Sequence, residues 1–263
     1  MKQITMKPLR IILLPLLTAV IGHVFLSAEE PSKTDDSGFV QIFDGKTLDG
    51  WEGDPVYWRV EGGHLVGEIT PETIVKRNTF IIWKKGTPAD FELKLEYRIT
   101  ENGNSGVNYR SERLDDHPFA LTGYQADIDG KNRYTGQNYE ERGRTTLAYQ
   151  GQVTTIPPIA ESDLKKLIVK NAWTPAVVVE SLGEKQELAK AIKSGDWNRM
   201  RIVAKGNSLQ HYVNDVLLSD VTDKDPQRRR MSGLIGMQVH VGPPMKVEYR
   251  EILLNVLEIS PKE

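Results

Sequence analysis

The chain has 263 residues, with 34 basic and 36 acidic side chains, a formal charge of −2 and 39% hydrophobic residues. That balance supplies no global field for a nucleic acid or an anionic membrane, so neither is expected as a partner. The absence of cysteine excludes disulfide stapling, thiolate zinc sites and a Cys-linked lipid, and leaves stability to the buried core.

At the N-terminus, Lys2, Lys7 and Arg10 precede the apolar run from Ile11 to Leu26, which is interrupted by Pro15, Gly22 and His23. Residues 1–28 therefore read as a signal peptide cleaved after Ala28, and the mature chain as secreted or periplasmic with no membrane span. Leu26 stands where the cleavage rule prefers a small residue, so an uncleaved anchor is the alternative. Residues 29–38 are polar and aperiodic and read as a disordered linker. Residues 39–259 read as one domain, a size that all-β sandwiches commonly reach.

From Phe39 onward the hydrophobic pattern has period two. In FELKLEYRIT (91–100), Phe91, Leu93, Leu95, Tyr97 and Ile99 share one face, with charged residues on the other. Gly103 to Gly106 (GNSG) lacks the spacing of a nucleophile elbow, and Ser105 reads as a turn residue. Residues 131–196 show few clean strands and predict long rim loops, with short helices at Ser162–Lys170 and within 183–195 as options. Gly206-Asn207 and Asn214-Asp215 fall where hairpin turns are expected, and the segment from Met245 is a closing strand that should pair near the first ones. The fold class is therefore all-β, a sandwich of two antiparallel sheets.

Three stretches alternate polar with apolar residues: Asn108 and Arg110 in VNYR, Gln125 and Asp127 in YQADID, and Gln238 and His240 in IGMQVHV. Each pair lies about 7 Å apart on one face of its strand. If the strands are neighbours, they form a polar platform carrying a cation, a carboxylate and an imidazole. A structural ion pair between Arg110 and Asp127, and a structural role for His240, are the competing readings. Asp129 belongs to an Asp-Gly turn, and Glu68 is either a solvated strand residue or a cleft carboxylate. Asp220, Asp223 and Asp225 lack the EF-hand spacing expected of a calcium loop. The run Arg228 to Arg230 reads as a solvated loop.

The segments FVQIFDGKTLDGW, YWRVEGGHLVGE, DFELKLEYRI, NSGVNYR, GYQADIDG, GDWNRMRIVAKGNSLQHYVND and SGLIGMQVHVGPPMKVEYREILL occur in order. Together they resemble the bacterial 3-keto-disaccharide hydrolase domain family, also described as 3-keto-glucoside 1,2-lyase and 3-keto-2-hydroxy-glucal hydratase domains. The resemblance implies a concanavalin-like jelly roll acting outside the cytoplasm on a small glycoside or oligosaccharide already oxidised at C3. A C3 ketone acidifies the C2 hydrogen, so a base removes it, the C1 substituent leaves by β-elimination, and water adds to the glucal. Under this reading His240 or Asp127 is the base, Arg110 and Gln125 stabilise the enolate, and Glu68 or Tyr124 binds hydroxyls or assists departure. Asn108 and Gln238 complete the set of substrate-binding residues. The elimination requires no cofactor, and a divalent metal on the enolate is compatible with it. Many relatives carry Glu where Gln125 stands, and an Asn-Gly turn where Asn214-Asp215 stands.

Two other functions fit the sequence. An ordinary glycoside hydrolase needs two carboxyl groups at set separations, and Gln125 removes one candidate. A non-catalytic carbohydrate-binding sandwich would stack sugars on Trp51, Trp58, Tyr109 or Tyr124.

Overall fold

A computed structural model describes residues 38–257 of the chain. The expected signal peptide (1–28) and linker (29–38) lie outside the described residues, apart from Gly38. The first strands are β1 (Val40–Gln41), β2 (Trp51–Glu52), β3 (Trp58–Glu61), β4 (His64–Ile69), β5 (Thr79–Trp83) and β6 (Phe91–Ile99). Next come β7 (Asn104–Leu114), β8 (His117–Asp129), β9 (Asn138–Glu141), β10 (Thr145–Ala148), β11 (Gln152–Ile156), β12 (Ile168–Val169) and β13 (Ala172–Trp173). The remainder are β14 (Val177–Ser181), β15 (Asn198–Lys205), β16 (Ser208–Val213), β17 (Val216–Asp223), β18 (Leu234–Val239) and β19 (Met245–Val256).

Two sheets pack face to face as a jelly-roll sandwich. One runs β14-β11-β17-β16-β15-β6-β19-β4-β3 with β1 beside β19, and the other runs β12-β13-β10-β9-β8-β7-β18-β5-β2. Pairing is antiparallel except at β10–β13 and β11–β17, so each sheet is mixed. Period two decides the faces: in β6, Phe91, Leu93, Leu95, Tyr97 and Ile99 are buried while the residues between them are partly exposed. The inner face of the second sheet supplies Val107, Tyr109, Tyr124, Ala126, Ile128, Met237 and Val239 to the same core. The closing strand pairs with the first, Val40 opposite Leu254.

The long loops expected over 131–196 are instead interrupted by six short strands, β9 to β14. Polar composition hid them because their inward residues are satisfied by one another. Arg144 is fully buried, with Nε 2.7 Å from Glu140 Oε2 and an Nη2 2.6 Å from Asp223 Oδ2, and Tyr124 donates to the same Asp223 oxygen at 2.6 Å. Charges paired at this range can occupy a core, although Arg144 Nη1 has no partner there. The helical options shrink to a 3-10 turn at Leu164–Leu167, capped by Asp163 and followed by β12, and one α-turn at Lys185–Leu188 followed by a 3-10 turn at Ala189–Ala191. Gly206 and Asn207 join β15 to β16, and Asn214 and Asp215 join β16 to β17 with φ of 48° and 68°, the left-handed pair that a tight hairpin requires. Ser105, read as a turn residue, lies inside β7 and hydrogen-bonds Tyr249 Oη at 2.7 Å.

Candidate active site

The three polar stretches belong to adjacent strands. β7 lies between β8 and β18, with Asn108 opposite Gln125, Gly106 opposite Asp127, and Gly236 opposite Asn108. Since Ala126, Val107 and Met237 face the core, their neighbours Gln125, Asp127 and Gln238 face outward. Gly106 makes room for Gln125: a Cβ there would lie 2.6 Å from the Gln125 side-chain carbons.

Asp127 is the most perturbed group on this face. Its carboxylate is buried, and accepts from Gln125 Nε2 at 2.6 Å on Oδ1 and from Gln137 Nε2 at 2.5 Å on Oδ2. Burial pushes its pKa up to about 7, with smaller upward contributions from Glu141 and Asp129, against the two amide hydrogen bonds. Glu141, on β9, is also buried, and burial raises its pKa against the opposing effects of Asn78, Arg142, His240 and Gln238. Asn78 Nδ2 donates to Glu141 Oε1 at 3.0 Å, while Asn78 Oδ1 accepts from Val241 N at 3.0 Å, tying β5 to the segment after β18. His240 follows β18, and its Nδ1 lies 2.7 Å from Val241 O. Because a carbonyl only accepts, Nδ1 carries a proton, and in the neutral ring Nε2 is the acceptor.

These groups line a cleft of about 400 Å³ together with Asn104, Tyr134, Tyr139, Arg142, Tyr149 and the β12–β13 turn residues Lys170 and Asn171. That is the scale of a small-molecule site. A second cavity of about 280 Å³ adjoins it through the shared residues Asn104 and His240. Among the described residues, no group of three or more His, Asp or Glu side chains is placed to hold a metal ion.

The other sequence candidates do not line the cleft. Arg110 sits at a bulge in β7 with φ of 45°, which breaks the alternation and turns its side chain away from the cleft. There it donates to Ala89 O, Gly206 O and Arg230 O and pairs with Asp90 Oδ1 at 3.0 Å, not with Asp127. Tyr124 faces the core, stacked on Tyr109 with ring centroids 5.6 Å apart. Glu68 is on the opposite sheet, paired with Arg59 at 2.6 Å. Asn108 and Gln238 are buried beneath the outward face; Gln238 Nε2 comes within 3.5 Å of Glu141 Oε2, and Asn108 donates to Ser111 Oγ at 3.4 Å. Asp129 forms the expected turn, accepting from Lys131 N and Arg133 N. Asp220, Asp223 and Asp225 accept from Gln210, Arg144 and Arg228 respectively. Arg228 and Arg230 are held by Asp225 and Glu112, so this much of the basic run is paired.

Sequence reasoning missed Gln137, Tyr139 and Glu141 of the cleft, along with Asn78, Tyr134, Arg142, Tyr149 and Lys170. The first three alternate with Asn138 and Glu140 in QNYEE, but polar residues on both faces conceal a strand whose buried side is itself polar.

Residues 38–255 match the 3-keto-alpha-glucoside-1,2-lyase-like domain. The chain is 23% identical over 246 residues to a 3-keto-disaccharide hydrolase of Bacteroides thetaiotaomicron, covering 85% of this chain and 80% of the relative. Its fold is similar to that of a Parabacteroides distasonis chain provisionally described as a glycosyl hydrolase, with a TM-score of 0.52 and 19% identity over 84% of this chain and 94% of that one. A second chain from that organism, described in the same terms, gives a TM-score of 0.50 and 17% identity over 83% and 99%. The chain belongs to the 3-keto-alpha-glucoside-1,2-lyase-like domain family.

Proposed function

We propose that this member of the family cleaves a glycoside already oxidised at C3, by removing the C2 proton, expelling the C1 substituent and adding water to the glucal. The observation that carries the reading is Asp127: a buried carboxyl at the cleft, held through both oxygens by amide donors, with a pKa of about 7. A general base works best when its pKa lies near the working pH, and each Asp127 oxygen keeps a second lone pair for the C2 proton.

The remaining roles follow from position. Arg142 and Lys170 line the cleft and offer positive charge to an enolate oxygen, the role first assigned to Arg110. His240 stands where the two cavities meet. With its Nδ1 proton held by Val241 O, its Nε2 lone pair is placed to accept a hydrogen bond from a substrate hydroxyl or from the added water, while the proton for the leaving oxygen is the one Asp127 takes from C2. Tyr134 and Tyr149, both more than one-third exposed at the cleft, suit stacking on a sugar ring. In the elimination the C2–H and C1–O bonds break, a C1–C2 double bond forms and the aglycone leaves as an alcohol. Water then adds its oxygen at C1 and a proton at C2, so the sum is hydrolysis. The basic, apolar N-terminal pattern supports export, and the substrate requires a prior oxidation at C3 by a separate dehydrogenase.

A second reading has a specific observation behind it. Glu141 supplies the second buried carboxyl that Gln125 removed from the sequence inventory, so an ordinary glycosidase pair is available. Matched glucosides with and without a C3 ketone separate the two. Turnover confined to the ketone, with solvent deuterium entering C2, is expected; equal turnover of both sinks the elimination.

A further inference from the structure

Two polar residues of the opposite sheet reach through the core to the turn that carries Gln137. His211 on β16 and Ser219 on β17 are cross-strand partners, and both are fully buried. His211 Nδ1 lies 3.2 Å from Gln137 O, and Ser219 Oγ donates to Gly136 O at 2.8 Å. The same two residues of the turn clasp Asp127 from the other side: Gly136 N donates to Asp127 O at 2.9 Å, and Asp127 N to Gln137 O at 3.3 Å. Gly136 has φ of 82°, and a Cβ there would lie 2.4 Å from Leu218 Cδ1, so the turn is pressed against β17.

The His211 tautomer follows from its partners. Gln137 O only accepts, so Nδ1 carries the proton, and Nε2 accepts from Tyr109 Oη at 2.9 Å, while Asn138 Nδ2 donates to that hydroxyl at 3.2 Å. Burial holds the ring neutral, with a pKa pushed down to about 4. Packing alone would be served by an apolar side chain; a buried imidazole with both nitrogens engaged is a positioning device.

We propose that His211, with Ser219, is a positioning residue for the cleft: it holds the Gly136–Gln137 turn so that the Gln137 amide stays on the Asp127 carboxylate. The proposal rests on the reading that Asp127 works in this cleft. The titratable and charged groups around Asp127 are Asp129 on its own strand, Tyr139 and Glu141 on β9, Arg142 after it, His240 after β18 and Lys170 in the β12–β13 turn. Tyr109 faces His211, with Tyr124 and Asp223 beyond it.

The test compares His211→Phe, His211→Gln, Ser219→Ala and Gln137→Ala in the full chain. It uses 13C NMR titration of the Asp127 carboxyl, the pH profile of kcat/KM on a 3-keto-glucoside, and Tm. Losing the Gln137 donor destabilises the carboxylate, so H211F and Q137A should each raise the Asp127 midpoint by about one pH unit. The double variant should move it no further. H211Q, which keeps a donor, should restore most of the midpoint, and S219A should raise it by about half a unit. If H211F does not fold, S219A and Q137A still decide the question. A lower Tm and a uniformly lower rate with an unmoved Asp127 midpoint would overturn the proposal. Full activity in Asp127→Asn would instead overturn the reading of the cleft, while the NMR midpoints would still report on positioning.

Discussion

Gln125 lies two residues before Asp127 on the same face of β8, and its Nε2 donates to Asp127 Oδ1 at 2.6 Å. The Gln125 amide is the donor that steadies the carboxylate beside it. The two residues form one unit, and exchanging the amide for an acid should rewrite its titration.

Gln125→Glu replaces a donor with a second carboxyl. Two carboxyls at this distance titrate as a pair, the second proton leaving well above the usual range. The acid limb of kcat/KM is expected to rise by at least one pH unit above that of the wild type, with about tenfold lower activity at pH 7. A pH–rate profile checks this, and an unmoved limb would show that Gln125 and Asp127 do not interact in the working enzyme.

Asp127→Asn should lower kcat by a factor of about 10² to 10⁴, the usual contribution of a general base, while leaving ligand affinity intact. It should also stabilise the fold. The folded pKa, about 7, lies above the ordinary aspartate value of 3.8. Between those pH values the native state binds more protons than the unfolded state, so this group's contribution to stability falls as pH rises and is fully lost above pH 7. The variant's advantage over the wild type is expected to be about 4 kcal/mol larger at pH 8 than at pH 4, read from denaturant melts at both values. A variant less stable at pH 8 than the wild type would contradict this account of the burial.

His211 acts in the opposite sense. Its folded pKa of about 4 lies below the ordinary histidine value of 6.5, so the unfolded chain binds more protons between these values. Its contribution to stability is complete above pH 6.5 and declines as pH falls toward 4, by about 3 kcal/mol in all. His211→Gln should therefore lose less stability than the wild type on acidification from pH 7 to 4. Parallel melting curves across that range would rule the effect out.

Arg110→Met should cost about 3 to 5 kcal/mol, because it leaves Asp90 without its partner and three carbonyls without a donor. Its KM should stay at the wild-type value at temperatures where the variant is folded. A raised KM with an unchanged Tm would place Arg110 in substrate binding after all.

Much of the architecture was legible because alternation is local. The side-chain period of a strand assigned Asp127 and Gln125 to one face and Tyr124 and Ala126 to the other before any partner strand was known. The same rule misled at Arg110, where one bulge shifts the parity of everything beyond it and no residue in VNYRSER announces the shift. It was silent at Glu141, because β9 buries Asn138 and Glu140 against Tyr109 and Arg144, so neither face of the strand looks apolar.

The sequence by itself determined the all-β class, the faces of the long strands, the hairpin turns and the family, since each rests on residues near one another in the chain. Only the tertiary structure decided that β7 lies between β8 and β18, that Glu68 sits on the other sheet, and that Glu141 and Gln137 join Asp127 at the cleft. The physical reason is that a carboxyl's pKa and role depend on what buries it and what donates to it. At Asp127 the second amide donor sits ten residues away in the chain on a turn, and that turn is held by His211 and Ser219 from the opposite sheet.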